Sequence, residues 1–370
     1  MSRLASARRI VVKIGSALLV DAETGTLRDE WLAALADDIA GCRQRGQDVI
    51  VVSSGTIALG RRQLGLSTAP LRLEDSQAAA ATGQIQLAHA YQAALAGHDI
   101  TVAQILLTAT DTEMRRRYIN ARNTLSALLK RGVVPVINEN DTVATEEIRV
   151  GDNDRLAARV AAMISADCLV LLSDIDGLYT ADPRQVADAS FIAEVAEITP
   201  EIEAMAGVAR VGMGQGGMVT KLQAARIALQ AGCHMAIADG RHQNALAILA
   251  RGGVATWFVA QATPTTARKR WIAGSLRPAG SVSIDAGAAA ALKRGKSLLP
   301  AGVHAVAGAF ERGDAVLIQD LDGAEIARGL IAYSADEAAR IMRHNSNEIE
   351  TILGYRGREE LIHRDDLVLG

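Results

Sequence analysis

Arg9-Ile10-Val11-Val12-Lys13-Ile14-Gly15-Ser16 is an aliphatic run closed by two small residues. It reads as a buried strand that ends in a glycine turn, and the pattern recurs along the chain. Asp48-Val49-Ile50-Val51-Val52 runs into Ser53-Ser54-Gly55, and Val133-Val134-Pro135-Val136-Ile137 into Asn138-Glu139-Asn140-Asp141. Cys168-Leu169-Val170-Leu171-Leu172 runs into Ser173-Asp174. Ile100 to Leu107 is a further strand. Helical patterns cover 29–45, a stretch from Thr56, 73–96 and 113–131. Strand and helix in alternation predict a parallel sheet covered on both faces, an α/β fold. The repeated small or acidic endings predict one shared site at the carboxyl edge of the sheet, where ligands bind in open α/β folds.

Two further stretches point to that edge. Arg149-Val150-Gly151-Asp152-Asn153-Asp154-Arg155 precedes a helix expected to begin near Leu156. One Asp or Asn suffices to cap a helix. Three in a row, near Asn138-Glu139-Asn140-Asp141, supply more donors and acceptors than a cap uses, and read as groups gathered around a polar ligand. Gly212-Met213-Gly214-Gln215-Gly216-Gly217-Met218-Val219-Thr220-Lys221 leads into a helix over Leu222–Gln230. Glycines before a helix leave its first N–H groups free to face an anion. Lys221 then sits where the helix dipole opposes its charge, which an anion would offset. Lys13 is the matching anomaly, a cation within an apolar strand. Its stem can lie on the sheet with the amine outside, or its amine can stand at the carboxyl edge, where Gly15-Ser16 would let a phosphate approach the backbone.

Generic nucleotide motifs fail. Gly212, Gly214 and Gly217 fit G-x-G-x-x-G, but no strand precedes them, and no G-K-[ST] follows. The cysteines, Cys42, Cys168 and Cys233, form no C-x-x-C and read as reduced buried thiols of a cytoplasmic protein. The scattered histidines give no transition-metal pattern. The strand-like run begins within ten residues of the N-terminus, too early for a signal peptide, and no apolar run is long enough for a membrane span.

At 370 residues the chain is expected to form two domains. The α/β rhythm covers 1–262. A polar linker over 263–276 follows, and 277–370 reads as a small β-rich domain, with strand-like runs at Val282-Ser283-Ile284 and Ala315-Val316-Leu317-Ile318.

Taken in order, Lys13-Ile-Gly15-Ser16, Ser53-Ser54-Gly55, Asn138 to Asp141, Gly151 to Asp154, Gly216-Gly217-Met218 and Lys221 resemble the amino acid kinase family. The tail, with Ser297-Leu298-Leu299-Pro300 and Ile352-Leu353-Gly354-Tyr355, is similar to that of members carrying a C-terminal PUA domain. The resemblance covers nearly the whole chain. It implies a three-layer αβα sandwich around a mainly parallel sheet, and ATP-dependent phosphorylation of the L-glutamate side-chain carboxylate to L-glutamyl 5-phosphate, the first step of proline biosynthesis. It also implies roles. Lys13, Lys221 and Asp154 would be catalytic, the lysines on the phosphates and Asp154 orienting both. Ser54, Asp141 and Asn153 would bind glutamate. Lys13, Gly15, Ser173, Asp174 and the loop Gln215, Gly216, Gly217, Met218, Val219, Thr220 and Lys221 would hold ATP. Gln215 and Val219 depart from the small hydroxyl residues of relatives. Mg²⁺ would ride on the ATP phosphates with few protein ligands, and no residue is assigned to it. Proline is the implied feedback inhibitor, and a homo-oligomer the implied assembly.

The implied chemistry suits the residues. A γ-carboxylate, with a pKa of roughly 4.3, is ionised at neutral pH and needs no general base. The difficulty is to bring two anions together, which two lysines and Mg²⁺ relieve. Two rivals stand beside this reading. One is another member of the family acting on acetylglutamate or aspartate. The other is an RNA-binding regulator working through the PUA domain. From Trp271 onward there are 11 Lys and Arg against 14 Asp and Glu, a net −3 that opposes RNA.

Overall fold

The computed structural model describes residues 2–67, 69–144, 152–207, 217–275 and 278–370. The chain divides into two compact units, Met1–Pro264 and Thr265–Gly370. Strands of the first are β1 (Arg9–Ile14), β2 (Asp48–Ser53), β3 (Val102–Leu107), β4 (Val134–Glu139), β5 (Cys168–Ser173), β6 (Leu178–Tyr179), β7 (Phe191–Ile192), β8 (Glu194–Val195), β9 (His234–Asp239) and β10 (Ala255–Phe258). Eight of them form one sheet in the order β3-β4-β2-β1-β5-β9-β10-β8. From β3 to β9 every pairing is parallel, and β10 runs antiparallel to β9. Their carboxyl ends therefore share one edge. The chain leaves β1 toward β2 on one side and returns to β5 on the other, so the strand order reverses at β1.

Side-chain alternation along the strands explains the two helical layers. Ile10, Val12 and Ile14 point to one face with Val49, Val51, Val170 and Leu172. They pack under the helices Asp29–Gln44 and Leu73–Ala96, through Leu35, Ile39, Leu87, Tyr91 and Leu95. Val11, Ile50, Val52, Leu169 and Leu171 point to the other face. There they meet the helices Arg115–Lys130, Asp152–Met163 and Met218–Gln230, through Leu125, Ala157, Val160, Leu222 and Ala225. Small aliphatic residues fill both layers, as an α/β core with few aromatics requires.

Lys13 shares its parity with Val11. Its side chain thus lies on the face covered by the helices that start at Asp152 and Met218. The first of these begins before the expected Leu156, so Asp152, Asn153 and Asp154 occupy its first turn. A negative charge there is stabilised by the helix dipole. The segment read as a linker is a helix, Pro264–Ser275. Its polar sequence hides a proline at the first position, which starts a helix as readily as it breaks one.

The second unit holds β11 (Gly280–Ile284), β12 (Val303–Gly308), β13 (Ala315–Gln319), β14 (Glu325–Leu330) and β15 (Leu367–Leu369) in one mixed sheet, β12-β11-β13-β14-β15. Val282, Ile284, Val316, Ile318, Tyr333 and Ile341 build its core. No helix among the described residues is long and apolar enough to cross a membrane.

Candidate active site

Asp154 is fully buried, 0% exposed, at the carboxyl edge of the sheet. Its Oδ1 lies 2.7 Å from Lys13 Nζ and its Oδ2 3.4 Å from Lys221 Nζ. Thr220 Oγ1 donates to the same Oδ2 at 2.8 Å. One carboxylate thus holds two amines that come from β1 and from the helix Met218–Gln230. Burial alone would raise the Asp154 pKa, but the charges of Lys13 and Lys221 and the hydrogen bonds from Lys13 and Thr220 hold it below the usual carboxylate range. Lys221 is pulled down, first by burial; Asp154 opposes this and Lys13 adds to it. Two like charges on one carboxylate leave the trio with a net positive charge in a dry place. That is a docking point for an anion.

Gly15 sits above this cluster. A Cβ there would stand 4.0 Å from Lys13 Nζ and 3.8 Å from Leu172 O, so a side chain would clash with nothing but would fill the space over the amine. Ser173, at the end of β5, donates its hydroxyl to Asp174 Oδ1 at 3.2 Å. Asp174 also pairs with Arg184 at 3.3 Å and lies within the field of Lys221. Gly217, Met218, Val219 and Thr220 open the helix that carries Lys221. Gln215 and Gly216 lie outside the described residues.

On the other side of Lys13, the ends of β2 and β4 meet the first turn of the helix Asp152–Met163. Asn153 Nδ2 donates to Ser54 Oγ at 2.8 Å, to Asn138 Oδ1 at 3.1 Å and to Ser53 O at 3.3 Å. Its Oδ1 is buried and receives no hydrogen bond among the described residues. A buried acceptor left open carries a cost unless a ligand supplies the donor. Asp141, three residues past Asn138, is 8% exposed, and burial pushes its carboxyl up to about 6. Among the described residues no ion pair offsets that burial.

The structure thus gathers Lys13, Asp154 and Lys221 into one contact network, and Ser54 and Asn153 into a second that starts at the adjacent residue. Asp141, Ser173 and Asp174 share the same sheet edge. Sequence reasoning named Thr220 for the nucleotide loop but not its bond to Asp154, which gives no local signal, and it missed the parts of two further residues. Asn138 was seen as part of a polar run, but its burial to 2% exposure follows from its parity with Val134 and Val136. Gln84, which accepts from Asn138 Nδ2 at 2.9 Å, lies 54 residues away in an Ala- and Gln-rich helix and carries no signal at all. Among the described residues no group of three His, Cys, Asp or Glu is placed to hold a metal ion.

A model of the amino acid kinase family matches residues 8–239, and one of the PUA domain matches 280–353. The chain is 66% identical over 369 residues to a protein of Paramagnetospirillum magneticum named glutamate 5-kinase, with 100% of each chain covered. It is 60% identical over 359 residues to a protein of the same name from Rhodospirillum rubrum, covering 97% of this chain and 96% of that one. A third of that name, from Agrobacterium fabrum, is 60% identical over 366 residues, at 99% and 94% coverage.

Proposed function

The chain belongs to the amino acid kinase family and carries a C-terminal PUA domain, and we propose that it transfers the γ-phosphoryl group of ATP to the side-chain carboxylate of L-glutamate, opening proline biosynthesis. The observation that carries this is the Lys13–Asp154–Lys221 trio beside the Ser54–Asn153 network. Full-length relatives named glutamate 5-kinase set the acceptor.

In this mechanism a carboxylate oxygen of glutamate attacks the γ-phosphorus, the bond to the β-phosphate oxygen breaks, and ADP leaves. Both reactants are anions throughout, so the enzyme's task is electrostatic. Lys13 and Lys221 present compact charges to the phosphate oxygens. Asp154 fixes both amines and favours the protonated form of Lys221 against its burial. Gly15 leaves the phosphates room over Lys13. Ser173 and Asp174 line the nucleotide side. Mg²⁺ enters with ATP as part of the substrate. The buried carboxylate nearest the lysines, Asp154, is already engaged by three donors and leaves little to offer a cation.

The acceptor side is suited to a free α-amino acid. Asn153 Oδ1 is a buried acceptor that receives no hydrogen bond among the described residues, and the Asp141 carboxylate is buried at the same sheet edge. An α-ammonium group supplies donors, and an N-acetylated amine supplies fewer and no charge. Proline carries the same α-amino acid end, and we propose that it competes there; activity unchanged by high proline would remove that role. Copies of the chain are proposed to associate, which light scattering would read. The three free, buried cysteines suit the reducing cytoplasm in which we place the enzyme.

The test is ADP release from Mg-ATP with L-glutamate and hydroxylamine, which traps an acyl phosphate as its hydroxamate. Hydroxamate from glutamate, and none from N-acetylglutamate or aspartate, is the expected result. Product from another acceptor would move the enzyme within its family, and no product from any acceptor would overturn the kinase reading.

A further inference from the structure

Three amides stand in series behind the proposed acceptor site. Asn153 Nδ2 donates to Asn138 Oδ1 at 3.1 Å, and Asn138 Nδ2 donates to Gln84 Oε1 at 2.9 Å. A longer bond, 3.4 Å, joins Asn138 Nδ2 to Thr56 Oγ1. An amide is nearly symmetric in shape, so its two orientations are separated only by the hydrogen bonds it makes. At the site end, Ser53 O is a carbonyl that can only accept, and it draws Asn153 Nδ2 inward. At the far end, Gln84 Oε1 draws Asn138 Nδ2 away, which turns Asn138 Oδ1 toward Asn153. The two pulls agree, and together they leave Asn153 Oδ1 as a buried acceptor that receives no hydrogen bond among the described residues. If Asn138 turned over, two NH₂ groups would meet, and Asn153 Nδ2 would exchange its bond to Asn138 Oδ1 for a repulsive contact while keeping those to Ser54 Oγ and Ser53 O.

We propose that Gln84 is a positioning residue that sets substrate specificity: through Asn138 it holds the Asn153 amide with its oxygen toward the substrate, so that the site selects a free α-ammonium group. The inference rests on the reading of this site as the glutamate acceptor site. Gln84 itself is half-buried in the middle of the helix Leu73–Ala96 and touches no reacting atom. Its effect is therefore on recognition and leaves the phosphoryl-transfer step alone.

The experiment compares the parent chain with Gln84→Met and Gln84→Glu. Met and Glu both favour helix, so the helix is retained in each. Glu keeps an acceptor for Asn138 Nδ2, and Met removes it. KM and kcat are measured for L-glutamate in the hydroxamate assay, and glutarate, which lacks only the amino group, is titrated as a competitive inhibitor. In Gln84→Met the KM for glutamate is expected to rise about tenfold, the scale of one hydrogen bond to a charged group, with kcat within about twofold and the glutarate inhibition constant unchanged. Gln84→Glu is expected to keep the parent's ratio of the two constants. Gln84→Ala, which also lacks the acceptor, replaces the Met variant should that one fail to fold. An equal loss of glutamate and glutarate binding would mark a general structural role and overturn the proposal, as would no change in either. A parent chain inert toward glutamate would instead overturn the acceptor assignment, and this inference with it.

Discussion

Replacing Asp154 by asparagine removes one negative charge from between two buried amines. The amines are then left repelling each other in a site with little water. Breaking a buried ion pair from one side costs about 3–5 kcal/mol, so Asp154→Asn is expected to lower the denaturant midpoint as well as kcat. Equilibrium unfolding and single-turnover kinetics read the two effects separately. A variant with parental stability would mean that Asp154 does not bind both lysines. Lys13→Ala and Lys221→Ala each remove one donor to the transferring group. Each is expected to lower kcat by at least ~10²-fold, with little change in KM for glutamate, because the groups proposed to bind the acceptor are Ser54, Asp141 and Asn153. Asp141 gives the pH dependence. Its carboxyl is pushed up to about 6 by burial, so the free enzyme holds a neutral Asp141 below that pH and a charged one above it. Only the charged form attracts an ammonium group. The value of kcat/KM for glutamate is therefore expected to fall as pH drops through about 6 and to level off above it. In Asp141→Asn the profile should flatten at the low value, and a parental profile in that variant would remove Asp141 from substrate binding.

At the scale of elements, the helices Thr56–Gln63 and Leu73–Ala96 cross with their backbones in contact. A Cβ on Gly60 would stand 1.8 Å from Ala79 O, and one on Gly83 would stand 1.9 Å from Thr56 O. This close crossing brings Gln84 beside Thr56 and Asn138. Alanine at position 83 would gain about 1 kcal/mol in helix propensity, yet it would force the helices apart. Overpacking of this kind costs typically 1–3 kcal/mol. Gly83→Ala is thus expected to be less stable in urea and to bind glutamate more weakly, whereas a variant more stable than the parent would show that the crossing yields without strain. Such contacts explain which parts of the molecule were legible beforehand. Strands and helices of the first unit were readable because the apolar runs are long and each has its own end signal. The gathering of polar groups at the carboxyl edge followed from Ser54, Asn138 and Ser173 at the ends of β2, β4 and β5. The pair β6 and β7 was not readable, since two-residue strands carry no period. The strand at Thr256-Trp257-Phe258 was readable but its antiparallel direction was not, because direction is set by the connection and leaves no mark in the strand itself. The early start of the helix at Asp152 escaped for a different reason: the same three residues satisfy a cap rule and a first-turn rule, and only the two lysines, distant in sequence, choose between them.

At the scale of the whole molecule, every residue proposed for the site lies in the first unit, and the second unit has a core of its own. The second unit is closed by a buried ion pair. Arg268, on the helix Pro264–Ser275, donates through Nη2 and Nε to Asp366 Oδ1 at 2.6 and 3.2 Å. Their side chains are 9% and 8% exposed. The pair ties the first helix of this unit to the short turn Arg364–Asp366 that leads into β15. Truncating Arg268 would remove one buried cationic partner of the Asp366 carboxylate, at a cost of up to about 3–5 kcal/mol. Chains with two cores commonly unfold in more than one step. In scanning calorimetry Arg268→Ala is therefore expected to move one transition to lower temperature and leave the other in place, while hydroxamate formation from glutamate below both transitions stays at the parental rate. Asp154→Asn should shift the opposite transition. If Arg268→Ala instead lowered both transitions together, or abolished turnover while the first unit remained folded, the two units would be one cooperative body, and the second would take part in holding the catalytic edge.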